Sequence, residues 1–153
     1  MEKLIEKFYT ALNNRDANTM ISCYHENIIF EDLGFGKLKG KKAKAMWQML
    51  CENAKNFKVE FSHIQANDHT GSAHWEAWYT FIQTGRYVHN KIDAQFEFKD
   101  GKIIKHTDHF NLHKWASQSL GWKGVLLGRT NFFKKKLVIK THKMLDKFMS
   151  SRL

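Results

Sequence analysis

The chain has no proline, two cysteines and no long apolar run. A helix that crosses a membrane needs about 20 mostly apolar residues, and no such stretch exists here. Cys23 and Cys51 fall on separate predicted helices without the short spacing of a metal knuckle, which favours buried free thiols over a disulfide or a metal site. The opening Met1 to Phe8 sets acids inside its apolar pattern and lacks the apolar core and cleavage site of a signal peptide, so a cytoplasmic location is expected. Neither a glycine-rich phosphate loop nor a Gly-x-Ser-x-Gly elbow occurs, which removes the motif-based case for nucleotide hydrolysis or serine-hydrolase chemistry. Without proline, the turns have to be read from glycine, asparagine and aspartate.

What is present is apolar bulk. With 153 residues, 42% of them apolar, the chain suits one domain, and twelve Phe and five Trp can line a cavity as well as fill a core. Its net charge of +10 is uneven. From Lys123 to Leu153 nine Lys/Arg face one acid, Asp146, which leaves +8 there and +2 on residues 1–122. We therefore divide the chain into a nearly neutral body, 1–122, and a basic helical extension of the same domain, 123–153.

Leu4, Ile5, Phe8 and Leu12 mark a helix that ends near Asn13-Asn14. Asp16 is placed to cap a second helix bearing Ala17, Met20, Ile21 and Tyr24. Ile28 to Asp32 reads as a strand, Gly34, Gly36 and Gly40 as a loop, and Ala43, Met46, Trp47, Leu50 and Ala54 as a third helix. From Phe57 the period becomes two: Val59, Phe61 and Ile64; then Trp75, Ala77, Tyr79 and Phe81; then Val88, Ile92, Ala94, Phe96 and Phe98. Turns fall at Asn67 to Gly71, Thr84-Gly85 and Lys99 to Gly101. The expected fold is α+β: a cone-shaped, curved antiparallel sheet wrapped around N-terminal helices, with the basic helical extension behind it.

Asp100 to Phe110 carries the densest chemical signal, because the turn feeds a strand on which His106 and Asp108 share a face. Alternation would place them with Ile104, Phe110 and Leu112, an acid and an imidazole among apolar neighbours, where pKa values move. A metal held by His106, His109 and His113 is not expected: alternation turns His109 away, and His113 lies beyond the strand.

Phe30-Glu31-Asp32 before the glycine loop, Gly85-Arg86 opening a long strand, and Asp100 to Ile103 leading to Asp108-His109-Phe110 together resemble the nuclear transport factor 2-like superfamily, most closely its SnoaL-like group of ketosteroid isomerases, polyketide cyclases and limonene epoxide hydrolases. The resemblance spans residues 1 to about 122. It implies that Asp32 matches the isomerase general base, and that the isomerase's oxyanion donors fall on Phe8 and beside Ala94, which cannot donate. It also implies that Asp108 matches the cyclase and hydrolase acid or base, while the hydrolase arginine has no counterpart. Implied ligand-lining residues are Phe8, Trp75, Ala77, Tyr79, Ala94, Phe96 and Phe110.

The functional expectation is a cavity for a mostly apolar small molecule, with Asp108, His106 and Asp32 as catalytic residues for proton transfer next to a carbonyl: isomerisation, cyclisation or dehydration. No cofactor, metal or nucleic acid is called for. The alternatives are a non-catalytic small-ligand-binding protein and a membrane-surface module. A homodimer is expected, through the sheet face of His74, Glu76 and Trp78. In the tail, Phe133, Leu137, Met144 and Phe148 form a stripe on a helix from about Asn131 to Met149, expected to pack on protein rather than on a membrane.

Overall fold

The spacing of Ile5, Phe8, Tyr9 and Leu12 gives helix α1 (Glu2–Asn13) one continuous apolar face, and all four are buried in the computed structural model, which describes residues 1–152. Asn13 Oδ1 accepts a hydrogen bond from Val59 N at 2.8 Å, tying the end of α1 to strand β3 (Lys58–Ala66). Asp16 caps α2 (Ala17–Ser22), accepting from Thr19 N at 3.0 Å. Tyr24 does not continue that helix. It opens strand β1 (Tyr24–Asp32), because Cys23 O accepts from Ile103 N at 2.9 Å and sheet pairing replaces the next helical turn.

The glycine segment is not all loop. Gly36 and Gly40, with φ of 66° and 50°, bound a short strand β2 (Gly36–Lys39) that pairs with β1, and Gly40 then caps α3 (Lys41–Asn53). On α3 Ala43, Met46 and Trp47 are buried, whereas Leu50 is exposed.

Strands β3, β4 (Thr70–Phe81), β5 (Arg86–Lys99) and β6 (Lys102–Phe110) form an antiparallel meander. The β5–β6 turn uses Asp100 and Gly101 at φ 51° and 71°. The six-stranded order is β2-β1-β6-β5-β4-β3, antiparallel except where β1 runs parallel to β6. Irregularities between Ser62 and Gln65 and between Glu97 and Phe98 bend the sheet around α1 and α3.

The second bulge corrects the expected alternation on β6. Glu97 pairs with Lys105 but Phe98 with Ile103, so Ile104 is the extra residue; Ile103, not Ile104, enters the core. Leu112 is not on the strand either. Asn111 Oδ1 caps α4 (Leu112–Leu120) by accepting from Lys114 N at 2.9 Å, and Leu112 is buried from that helix.

Helices α5 (Trp122–Leu127) and α6 (Asn131–Ser150) complete the chain. Helix α6 lies against the β1–β2 loop: Thr141 Oγ1 donates to Gly34 O at 2.9 Å, His142 Nε2 donates to Phe35 O at 2.6 Å, and Val138 touches Gly36. Its anchor is Leu145, 1% exposed in the main core, while Met144 is 40% exposed. Of the expected stripe, Phe133, Leu137 and Phe148 are half-buried, Phe148 against the main core, and Met144 alone is exposed: the bonds of Thr141 and His142 to the loop carbonyls turn the helix so that Leu145 enters the core. Leu145→Ala should cost about 2–5 kcal/mol of unfolding free energy, and Met144→Ala about 0.5 kcal/mol or less, read from urea denaturation of each variant.

Candidate active site

Register decides which side chains meet. Phe30 of β1 and Phe96 of β5 both lie opposite His106 of β6, so the imidazole is flanked on the inner face by two phenyl rings, at 5.2 and 4.6 Å between centroids. Phe8 of α1 and Trp47 of α3 close over it, and His106 has no exposure.

A polar ring so enclosed needs hydrogen bonds. His106 Nδ1 lies 2.8 Å from Tyr24 Oη, and Nε2 lies 2.9 Å from Asp108 Oδ1. Trp47 Nε1 donates to Tyr24 Oη at 2.7 Å. An indole N–H can only donate, so Tyr24 spends its own proton on Nδ1 when every proton is used, leaving a neutral imidazole that donates from Nε2 to Asp108. Burial raises the Tyr24 phenol pKa well above its ordinary value, which keeps that proton in place. Trp75 Nε1 also donates to Asp108 Oδ1, at 3.3 Å. Both contacts fix Oδ1, and Oδ2 takes no hydrogen bond among the described residues.

Asp32 stands next to Asp108. Phe30 pairs with His106 and Glu31 with Thr107, so the parallel register carries Asp32 alongside Asp108 on the inner face. Asp32 Oδ1 accepts from Gly34 N at 2.9 Å and Phe35 N at 2.6 Å, while Oδ2 takes no hydrogen bond among the described residues. Burial pushes its pKa up to about 7, the two amides pull against that rise, and the charge of Asp108 adds to it. Tyr79 Oη accepts from Trp115 Nε1 at 2.8 Å, so its own proton is uncommitted; burial above all, with a contribution from Asp32, pushes its pKa to about 12. The Tyr9 hydroxyl is buried with no partner among the described residues, and burial, followed by the charge of Asp108, raises its pKa well above the ordinary phenol value.

Of the residues expected from sequence, Asp108 and Asp32 come together. His106 is fully buried behind Asp108, with Nε2 bonded to that carboxylate. Phe8, Trp75, Ala77, Ala94 and Phe96 are buried on the same side, and Tyr79 and Phe110 are half-buried there. Sequence reasoning missed Tyr24, Trp47, Tyr9 and Trp115. Tyr24 and Trp115 had no usable signal, since one was assigned to a helix and the other lay beyond the last strand.

Two recesses of about 650 and 410 Å³ lie on the outer sheet face, around Gln95 and Ser72, and neither includes Asp108 or Asp32. On that face His74 bridges Asp93 and Glu76, and His89 bonds Glu76. Among the described residues no group of three His, Cys, Asp or Glu side chains is arranged to hold a metal ion.

Residues 5–106 match the family model of the SnoaL-like domain. Epoxide hydrolase EphG of Mycobacterium tuberculosis is 24% identical over 124 residues, covering 81% of this chain and 78% of that protein. The structure of an LEH-like epoxide hydrolase of M. tuberculosis superposes with a TM-score of 0.63 at 22% identity, covering 82% of this chain and 89% of the other. A provisionally assigned polyketide cyclase of Xanthomonas campestris also gives 0.63, at 21% identity, over 76% and 93%. These structures share the fold.

The raised pKa of Asp32 has a stability consequence of fixed sign. Its folded value is about 7, against about 3.9 in an unfolded chain, so between these values the folded state holds a proton that the unfolded state has released. Its contribution therefore weakens as pH rises from about 4 to about 7 and is level above that. Chemical denaturation across this range should show a smaller decline with pH in Asp32→Asn than in the wild type; identical profiles would mean that Asp32 titrates normally.

Proposed function

We propose that this chain, which belongs to the SnoaL-like family, is an enzyme that binds a mostly apolar small molecule at the inner sheet face and moves a proton next to a carbonyl. The observation that supports this reading is the pair Asp32 and Asp108: side by side, each with one oxygen held and one oxygen without a partner among the described residues. Paired carboxylates in one site do not share a protonation state easily, and Asp32, at about 7, is the one poised to carry the proton.

In this scheme Asp108 Oδ2 removes a proton from the α-carbon, the C–H electron pair becomes the enolate double bond, and the negative charge moves onto the carbonyl oxygen. Asp32 in its acid form and the uncommitted Tyr79 hydroxyl donate to that oxygen. They supply the stabilisation that Phe8 and Ala94 cannot. Returning the proton to another carbon completes an isomerisation; attack of the enolate carbon on a second carbonyl, whose π pair moves onto its oxygen and takes the proton back from Asp108, completes a cyclisation. His106 is a positioning residue: with its Nδ1 partner Tyr24 it holds Asp108 Oδ1 and so aims Oδ2.

The second reading is a carrier without chemistry, favoured by the two backbone amides that already hold Asp32 Oδ1. In either case the proposed assembly is a cytoplasmic homodimer through the outer sheet face.

Enones and polyketide-like diketones, screened first by thermal shift and then by turnover, separate these readings. Asp108→Asn should reduce kcat by at least about a thousandfold, as expected for loss of a general base together with its orienting contacts, with ligand-induced stabilisation nearly unchanged. Tyr24→Phe should lower kcat about tenfold or more while leaving KM in place. Ligands that stabilise the protein but are returned unchanged at every pH would establish the carrier instead.

A further inference from the structure

The way α5 packs leaves its large side chains outside. Gly124 and Gly128 meet Ala116 of α4, so closely that a Cβ at Gly124 would lie 1.9 Å from the Ala116 carbonyl oxygen. With the glycines inward, Trp122 is 68% exposed, Val125 54%, Leu126 67% and Leu127 47%. On α6, which follows α5 in the chain, Phe132 is 62% exposed and Ile139 56%, on the side of the helix opposite Val138, Thr141 and Leu145. Such concentrated exposure, indole and phenyl included, is unfavourable in water and marks a surface that is covered in use.

The charge around it identifies what covers it. From Trp122 to Leu145 there are seven Lys/Arg and no acid. Lys123 Nζ lies 5.8 Å from the Trp122 ring and Lys136 Nζ 4.6 Å from the Phe132 ring, so the cations sit beside the apolar side chains. Long lysine stems can lie along apolar surface while their heads reach outward to anions. No described helix is long and apolar enough to cross a membrane. We propose that this surface seats the protein on an anionic lipid bilayer, with Trp122, Leu126 and Phe132 entering the boundary between headgroups and acyl chains and Lys123, Arg129 and Lys136 meeting lipid phosphates. A second copy of the chain would bring the same cations against themselves, which disfavours a dimer through this face. The proposal is independent of the chemistry at Asp108.

The test is flotation of the full chain with vesicles of phosphatidylcholine alone and of phosphatidylcholine mixed with phosphatidylglycerol, at low and physiological salt. Binding to the mixed vesicles should persist at physiological salt, and Leu126→Asp should weaken it at least tenfold with an unchanged melting temperature. Lys123→Gln and Lys136→Gln should each weaken it about fivefold. Should Leu126→Asp fold poorly, Trp122→Phe provides the second readout: bromine-labelled lipid should quench the wild type more than this variant. Wild-type protein that does not float with anionic vesicles, Leu126→Asp binding as tightly as wild type, or a dimer that Leu126→Asp dissociates in the absence of flotation, would overturn the proposal.

Discussion

The parallel pairing of β1 with β6 is the constraint on which the site depends. It sets Phe30 opposite His106 and so carries Asp32 alongside Asp108. A slip of one residue would turn Asp32 to the outer face and bring Glu31 inside. That slip is resisted from both sides. Ile28 and Phe30 would lose their burial, and the hairpin with β2 fixes the other edge through the pairing of Phe30 with Leu38. Backbone register brings the two carboxylates to one face, and the charge of Asp108 contributes to the raised pKa of Asp32.

Around that pair the protein buries a hydrogen-bonded line, Trp47 to Tyr24 to His106 to Asp108, inside a core of aromatic rings. Tyr24 Oη and both imidazole nitrogens are partnered, and the arrangement that uses every proton points one imidazole N–H at Asp108. Part of this was legible in the sequence. His106 and Asp108 share a face because strand alternation requires it, but of the apolar neighbours used to mark that face as inner only Phe110 lies on it: Ile104 is the extra residue of the bulge and Leu112 belongs to α4. The partners were not legible: Tyr24 lies 82 residues from His106 and comes from β1, where a helical pattern ran on past the true end of α2. The bulge at Ile104 was hidden as well, since one extra residue in a strand leaves apolar composition unchanged and is visible only in the pairing.

The order of helices and strands was readable because periodicities of 3.6 and 2 are long and unbroken in α1, α3, β4 and β5. The glycine segment misled because its glycines end β2 rather than interrupt it. In the tail, the existence of α6 followed from its pattern, but its rotation did not. Thr141 and His142 are polar and would be assigned to solvent, yet their hydrogen bonds to Gly34 O and Phe35 O define the docked face. Of the expected stripe, Phe133, Leu137 and Phe148 are half-buried and Met144 is exposed; outside that stripe, the packing between α4 and α5 is made by glycine and alanine, which leaves Trp122 and Leu126 exposed, as Phe132 is on α6. Helix α6 thereby joins two surfaces, one against the loop that holds Asp32 and one facing outward.

The central claim is that Asp32 and Asp108 act on one another as a coupled pair. Site-resolved carboxyl-carbon NMR titration of the wild type and of Asp108→Asn tests it most directly. The Asp32 midpoint is expected at about 7 in the wild type and lower once the charge at position 108 is removed. An Asp32 carboxyl that titrates near its ordinary value of about 3.9, or one whose midpoint is the same in both proteins, would contradict it.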